Sequence, residues 1–216
     1  KAPAGVALNS DFTVKVRLQD GVWHTLSSYL IKVDEVRDTR HYVENASMAI
    51  FDFTGKVEVA VTYNLGEVQT AKVRPLSYDI PFQIDGNTVT FTLEHPRNLS
   101  VEVNGDIFHN LHLFTGSPER TIPDKDNPEV IYFGPGIHTV KNGELRVPSG
   151  KTVYLAGGAV LMGRVLIENV HDVKLLGRGI IDHSIKGGIR IANSRDVYVE
   201  GIVATQCATG GSENVT

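Results

Sequence analysis

Apolar and polar residues alternate along the first half of the chain. Phe12, Val14, Val16 and Leu18 are separated by polar positions, as are Val57, Val59, Val61 and Tyr63, and again Val89, Phe91 and Leu93. A period of two puts one face of each run in a core and the other in water, the pattern of half-buried strands. Between the runs stand Asp20-Gly21, Asp85-Gly86 and Asn104-Gly105, dipeptides whose glycine accepts the positive φ of a hairpin turn. Short alternating strands joined by such turns predict an antiparallel β-sandwich. Helix is nearly absent from this pattern. The stretch from Ser28 to Arg40 has the length for a helical turn, but its β-branched residues predict a strand.

The pattern then changes. Residues 117–128 hold Pro118, Pro123 and Pro128 among charged side chains with no hydrophobic period, which predicts a connection. The sandwich is accordingly assigned to residues 1–120 and a second domain to 121–216. Within the second domain, segments opening at Val130, Val153, Val173 and Val197 can be laid over one another at spacings of 23, 20 and 24 residues. Each opens with a short apolar strand and then reaches a glycine, at Gly134, Gly157, Gly177 and Gly201. A second strand follows, as in Ala159-Val160-Leu161 and Ile180-Ile181, then a third, as in Val165-Leu166-Ile167 and Ile189-Arg190-Ile191. Three short strands per repeat, glycines at the corners and no helix between them predict a solenoid of parallel sheets, a β-helix of about four coils. A leucine-rich repeat would need several leucines and an asparagine at fixed offsets, which these Val, Ile and Gly coils lack.

Charge and composition narrow the partners. The 21 Lys and Arg nearly balance 25 Asp and Glu for a net charge of -4, so no global field draws nucleic acid or an anionic membrane. No apolar run approaches the roughly 20 residues of a membrane span, and Lys1-Ala2-Pro3-Ala4-Gly5 carries no signal-peptide apolar stretch, as in a chain already processed. Cys207 is the single cysteine; it forms no internal disulfide and reads as a packing group. Sequons stand at Asn45, Asn98 and Asn214 where chance supplies about one or two, and they do not decide glycosylation.

The stretch Val147-Pro-Ser-Gly-Lys-Thr-Val-Tyr-Leu-Ala-Gly-Gly-Ala-Val-Leu-Met-Gly163, followed by Val173-Lys-Leu-Leu-Gly-Arg-Gly-Ile-Ile-Asp182, resembles the opening coils of polygalacturonase-like glycoside hydrolases. Dextranase- and isopullulanase-type enzymes share that architecture. Leu99-Ser-Val-Glu-Val-Asn-Gly-Asp106 and Leu111-His-Leu-Phe114 look like the end of the β-sandwich that precedes the β-helix in those enzymes. The resemblance implies an all-β fold, an antiparallel sandwich followed by the first coils of a right-handed parallel β-helix. It also implies a secreted enzyme, without cofactor, that hydrolyses pectin, dextran or a related glucan. In the polygalacturonase-like group the catalytic aspartates lie in an Asn-Thr-Asp strand, an Asp-Asp pair follows, and then a Gly-His motif. None of these occurs here, which assigns no catalytic residue to this chain and places the aspartates beyond Thr216.

Inverting hydrolysis needs two carboxylates about 6.5–9.5 Å apart, and coils stack at about 4.8 Å, so acids at equivalent positions of nearby coils are the first place to look. Asp172 and Asp196 stack in this way before Val173 and Val197, but each follows an asparagine at a coil corner, Asn169 or Asn193, where Asp and Asn satisfy backbone donors. A structural role is expected for both. Asp182 and His183 put an acid beside an imidazole with no third group to orient them. Substrate contacts are expected, if anywhere on these coils, from Asp182, His183, Arg190 and Gln206, with Glu200 as a further outward position. Trp23, Tyr29, Tyr63 and Tyr78 are sugar-stacking candidates whose alternation predicts mostly core. No Cys or acid cluster completes a metal site around His109 and His112, and Gly134-Pro-Gly136 and Gly177-Arg-Gly179 lack the helix that would hold a phosphate. A lyase would need calcium-binding carboxylates, and no acid cluster supports one. The open end of the solenoid predicts self-association. The competing reading is a non-catalytic carbohydrate-binding or adhesin-like module.

Overall fold

A computed structural model describes residues 1–182, 188–205 and 213–214. The first part is built from β1 (Phe12–Arg17), β2 (Trp23–Thr25), β3 (Tyr29–Arg37), β4 (Arg40–Asp52), β5 (Val57–Tyr63), β6 (Ala71–Arg74), β7 (Phe82–Asp85), β8 (Thr88–Leu93), β9 (Leu99–Val103) and β10 (Asp106–Gly116), with one 3-10 turn at Leu76–Tyr78. These strands form two five-stranded sheets, ordered β2-β1-β5-β8-β7 and β3-β4-β10-β9-β6. The three alternating runs of the sequence are β1, β5 and β8, adjacent in the first sheet, with Val14, Val61 and Val89 in one cross-strand row. All three are fully buried, against Val101, Leu111 and Leu113 among others, each contributing about 1.5–3 kcal/mol relative to exposure.

Hairpin chemistry is as read at Asn104-Gly105, where φ is 55° and 81°. The β3–β4 turn uses the same left-handed pair at Asp38 (φ 46°) and Thr39 (φ 66°) with no glycine to announce it. One pair departs from the antiparallel rule: β10 runs parallel to β4, Leu111 opposite Ser47. A parallel neighbour needs a crossover rather than a hairpin, and β5 to β9 supply it.

The second part comprises β11 (Val130–Phe133), β12 (Gly136–Arg146), β13 (Thr152–Leu155), β14 (Ala159–Glu168), β15 (His171–Gly177), β16 (Ile180–Asp182), β17 (Ile189–Ala192), β18 (Arg195–Glu200), β19 (Val203–Thr205) and β20 (Glu213–Asn214). The order β11-β13-β15-β18 makes a first parallel sheet. β12 and β14 bend midway, so that their first halves join β16 and β19 in a second sheet, while the second half of β14 pairs β17 in a third. The result is a parallel β-helix of about three turns. The expected four coils become about three turns, with β18 and β19, the fourth parallel strands of the first and second sheets, in part of a further one. Inside lie Val153, Leu155, Leu161, Val165, Ile167, Val173, Leu175, Ile181 and Ile202.

The coil register differs from the valine overlay. Ile131, Val153, Leu175 and Val199 share one inward column, whereas Val130 falls in the outward row of Thr152, Lys174 and Tyr198. A slip of one residue changes the face. The bonded spacing is 22, 22 and 24 residues, Val130 to Thr152 to Lys174 to Tyr198, and the corner from third to first sheet is two residues longer in the later coils, Leu166 to Lys174 and Arg190 to Tyr198, than in the first, Arg146 to Thr152. Those longer corners carry Asn169, Asp172, Asn193 and Asp196, all with φ between 49° and 57°, a region Asn and Asp tolerate best among non-glycine residues.

By contact the chain divides into two compact units, one of Lys1, Ala7–Ile31 and Glu44–Pro118, the other of Ala2–Val6, Lys32–Val43 and Glu119–Thr216. Among the described residues no helix is long and apolar enough to cross a membrane.

Candidate functional site

Side chains of a strand alternate, so a substrate can meet only the outward rows of the three solenoid sheets. On the first sheet one such row runs Tyr132, Tyr154, Leu176, Glu200. The Tyr132 and Tyr154 rings stack at 5.2 Å. Tyr154 is 1 % exposed, and its hydroxyl donates to Glu119 Oε2 at 2.9 Å. Burial first, and the Glu119 carboxylate second, push the Tyr154 phenol well above its ordinary value, so it remains a donor and pins the proline-rich connection to the sheet. On β18 the exposed Tyr198 donates to Glu200, whose hydrogen bond raises the Tyr198 phenol. Reading Glu200 alone missed its partner, although two residues apart on a strand is the spacing of a same-face pair.

The second sheet turns Val160, Ile180 and Val203 outward in one row, yet all three are buried. Gly5 lies beside the start of this row, close enough that a Cβ on it would sit 3.4 Å from Ile137 Cδ1. Asp182 belongs to the next row, between Met162 and the buried Thr205. His183 and Gln206 lie outside the described residues, as does Cys207.

The third sheet carries a ladder of ions. Arg164 donates to Glu144 at 2.6 Å, Arg146 reaches both Glu144 (3.1 Å) and Glu168 (3.3 Å), and Arg190 Nε donates to Glu168 Oε1 at 2.6 Å. Arg190 therefore faces out from a different sheet than Asp182, and the two do not share a face. The ion pairs of the ladder tie three successive coils together. Asp172 and Asp196 also serve locally: His171 Nδ1 lies 2.8 Å from Asp172 Oδ2, and Arg195 donates to Asp196 at 2.8 Å. Glu144, Glu168, Asp172, Asp182, Asp196 and Glu200 are all engaged within the chain.

In the sandwich the aromatic candidates divide. Tyr29 is buried and Tyr63 packs on Phe12 at 5.3 Å, as alternation predicted. Trp23 and Tyr78 instead are exposed, each with an arginine over its ring, Arg17 at 4.7 Å and Arg97 at 4.3 Å. His109 is ion-paired with Asp106 and Glu44. His112 is a packing residue, edge-on to Phe114 at 6.1 Å, and burial lowers its pKa. Among the described residues no group of three or more His, Cys, Asp or Glu is arranged to hold a metal ion.

No protein-family model matches the chain, and no curated protein matches it by sequence. Structure is more informative. The fold resembles that of Dex49A from Penicillium minioluteum. That protein, a dextranase with a right-handed β-helix, aligns with 95% of this chain at a TM-score of 0.65 and 14% identity. The chain spans 59% of Dex49A's length. At such identity the likeness speaks for the fold, sandwich and β-helix together, and not for any residue of the site.

Proposed function

We propose that the chain is the N-terminal portion of a secreted polysaccharide hydrolase that cleaves glycosidic bonds of pectin, dextran or a related glucan with inversion. The observation that carries this reading is the likeness to Dex49A across 95% of the chain. The catalytic aspartates are assigned to coils following Thr216. One protonates the leaving oxygen and the other activates water, and acids on adjacent coils offset by two residues, about 4.8 Å across and about 6.6 Å along the strand, stand about 8 Å apart, in the required range. Within this scheme the described coils are scaffold: their acids brace corners or cross-coil ladders, and Asp182, His183, Arg190 and Gln206 are assigned substrate contacts at most.

The test is release of reducing sugar from polygalacturonate, dextran and pullulan by the 216-residue chain and by a protein extended past Thr216. The extended protein should hydrolyse one of the three, with inverted anomeric configuration seen by proton NMR, and the shorter chain none. Hydrolysis by the shorter chain overturns the assignment of the aspartates. Inactivity of a folded, extended protein on all three leaves the non-catalytic binding module as the better reading.

A further inference from the structure

On the sandwich, a groove of about 670 Å³ is lined by residues of β5, β7, β8 and the 3-10 turn. Along β8 the buried Val89, Phe91 and Leu93 alternate with Thr90 and Thr92, which face outward opposite Gln83 of β7 and Glu58 of β5. Tyr78, 38% exposed, borders this polar row, whereas Phe82 pairs with the buried Phe91 and so stands on the other face of the sheet. All four residues of the edge strand β7 are exposed, apolar Phe82 and Ile84 included.

The groove is preformed. Arg97 lies over the Tyr78 ring and donates from Nε to His95 Nε2 at 2.8 Å. Its backbone is fixed in turn by Thr115, whose hydroxyl accepts from the Arg97 N–H at 2.6 Å and donates to the Arg97 carbonyl at 2.7 Å. No hydrogen bond or ion pair of the described structure engages the side chains of Gln83, Thr90, Thr92 or Glu94, so their donors and acceptors face the groove unmatched. Rigid aromatic faces beside a few convergent polar groups are what a sugar ring requires, its C–H face on the ring and its hydroxyls on the polar row. Charge narrows the choice: Lys56 and Arg97 stand against Glu58, Asp79 and Glu94, a balance that does not favour an anionic polysaccharide.

We propose that this groove is a carbohydrate-binding site for a short stretch of neutral glucan, held on Tyr78 and hydrogen-bonded by Gln83, Thr90, Thr92 and Glu94. The choice of glucan rests on the hydrolase reading; the site itself rests on the groove. Native gel electrophoresis of the 216-residue chain through dextran, pullulan or polygalacturonate tests it. Dextran or pullulan should retard the chain and polygalacturonate should not. Tyr78→Ala should weaken retardation roughly tenfold, Gln83→Ala severalfold, and Phe82→Ala and Trp23→Ala not at all, with circular dichroism confirming that each variant is folded. Absence of retardation by both neutral polysaccharides, unchanged retardation in Tyr78→Ala, or selective retardation by polygalacturonate overturns the proposal. The gel reads retention rather than bond cleavage. Retention without hydrolysis by the extended protein removes only the enzymatic reading, and hydrolysis without retention removes only the groove.

Discussion

At Gly105 in the sandwich φ is +81°, and a Cβ there would meet nothing within 4 Å. At Gly177 in the solenoid φ is +124°, and a Cβ would lie 2.0 Å from the Leu155 carbonyl oxygen. The first glycine turns a chain; the second lets one coil approach the coil before it. This difference follows from how each part fixes its register. In the sandwich, hairpin turns set which residues face each other, and the core closes between two sheets. In the solenoid, each coil touches only its neighbours, and the inward column of Ile131, Val153, Leu175 and Val199 repeats without turns to specify it.

Alanine separates the two uses. Gly177→Ala should lower stability by about 3 kcal/mol or more, because the obstacle is a backbone carbonyl that cannot rotate away. Gly105→Ala should cost only the left-handed backbone, about 1–2 kcal/mol. Gly157→Ala, whose nearest neighbour would be Arg178 Cβ at 3.8 Å, should stay within about 0.5 kcal/mol. Urea denaturation of the three variants decides, and equal costs at Gly177 and Gly105 would refute the close-approach account. A cavity probes the same stacking from inside. Leu175→Ala should cost about 2–5 kcal/mol, with faster amide exchange in β13 and β18, the strands bonded to β15.

Legibility in the sequence divides along the same line. Period-two runs located β1, β5 and β8, and Asn104-Gly105 located a hairpin, because alternation and turn chemistry are local signals. The β3–β4 turn escaped because Asp38 and Thr39 adopt left-handed conformations without glycine. The solenoid's existence was legible from its repeats, but its register was not, since valines that look equivalent stand on opposite faces, Val130 in the outward row and Val153 in the inward column. Gly177 and Gly201 do correspond, as Leu176 pairs Glu200 just before them. Gly157 does not, because Gly177 pairs Leu155 two residues earlier. Of the expected site residues, Asp182 and Arg190 stand on different sheets. Which sheet a residue occupies depends on where a coil bends, and a glycine that bends a strand reads the same as one that ends it. Alternation predicted mostly core for the sandwich aromatics, but Tyr78 lies in the 3-10 turn outside any alternating run, so nothing local marked its exposure.

The proline-rich connection supplies a smaller test, since composition predicts a loose segment and the structure anchors it. Tyr154→Phe removes the donor to Glu119 and keeps the stacked ring. The loss should be about 1 kcal/mol, accompanied by faster proteolytic cleavage after Arg120 or Lys125. Unchanged cleavage would mean that the hydrogen bond does not hold the segment.

The smallest effect separates the two regions by pH. In the sandwich, His109 lies between Asp106 (2.9 Å) and Glu44 (3.2 Å). Burial alone would lower its pKa, but the hydrogen bond and charge of Asp106, then those of Glu44, outweigh burial and raise it above 6.5. Asp106 is lowered below 3.8: burial opposes this, and backbone N–H groups of His109 and Phe108, followed by the His109 ring, overcome it. A raised histidine contributes fully below its unfolded value and loses that contribution as pH rises through its folded value, whereas a lowered aspartate contributes above its unfolded value and loses as pH falls. The cluster therefore stabilises most between about pH 4 and 6.5. The solenoid ladder pairs Glu144 and Glu168 with arginines, which do not titrate. His109→Gln should then cost more at pH 5.5 than at pH 9, within the roughly 0.2–1 kcal/mol of exposed ion pairs, whereas the cost of Arg190→Gln should be the same at both. The difference at His109 should shrink in 1 M salt. Thermal melts at both pH values check this, and a pH-independent cost at His109 would show that its ring serves only as packing.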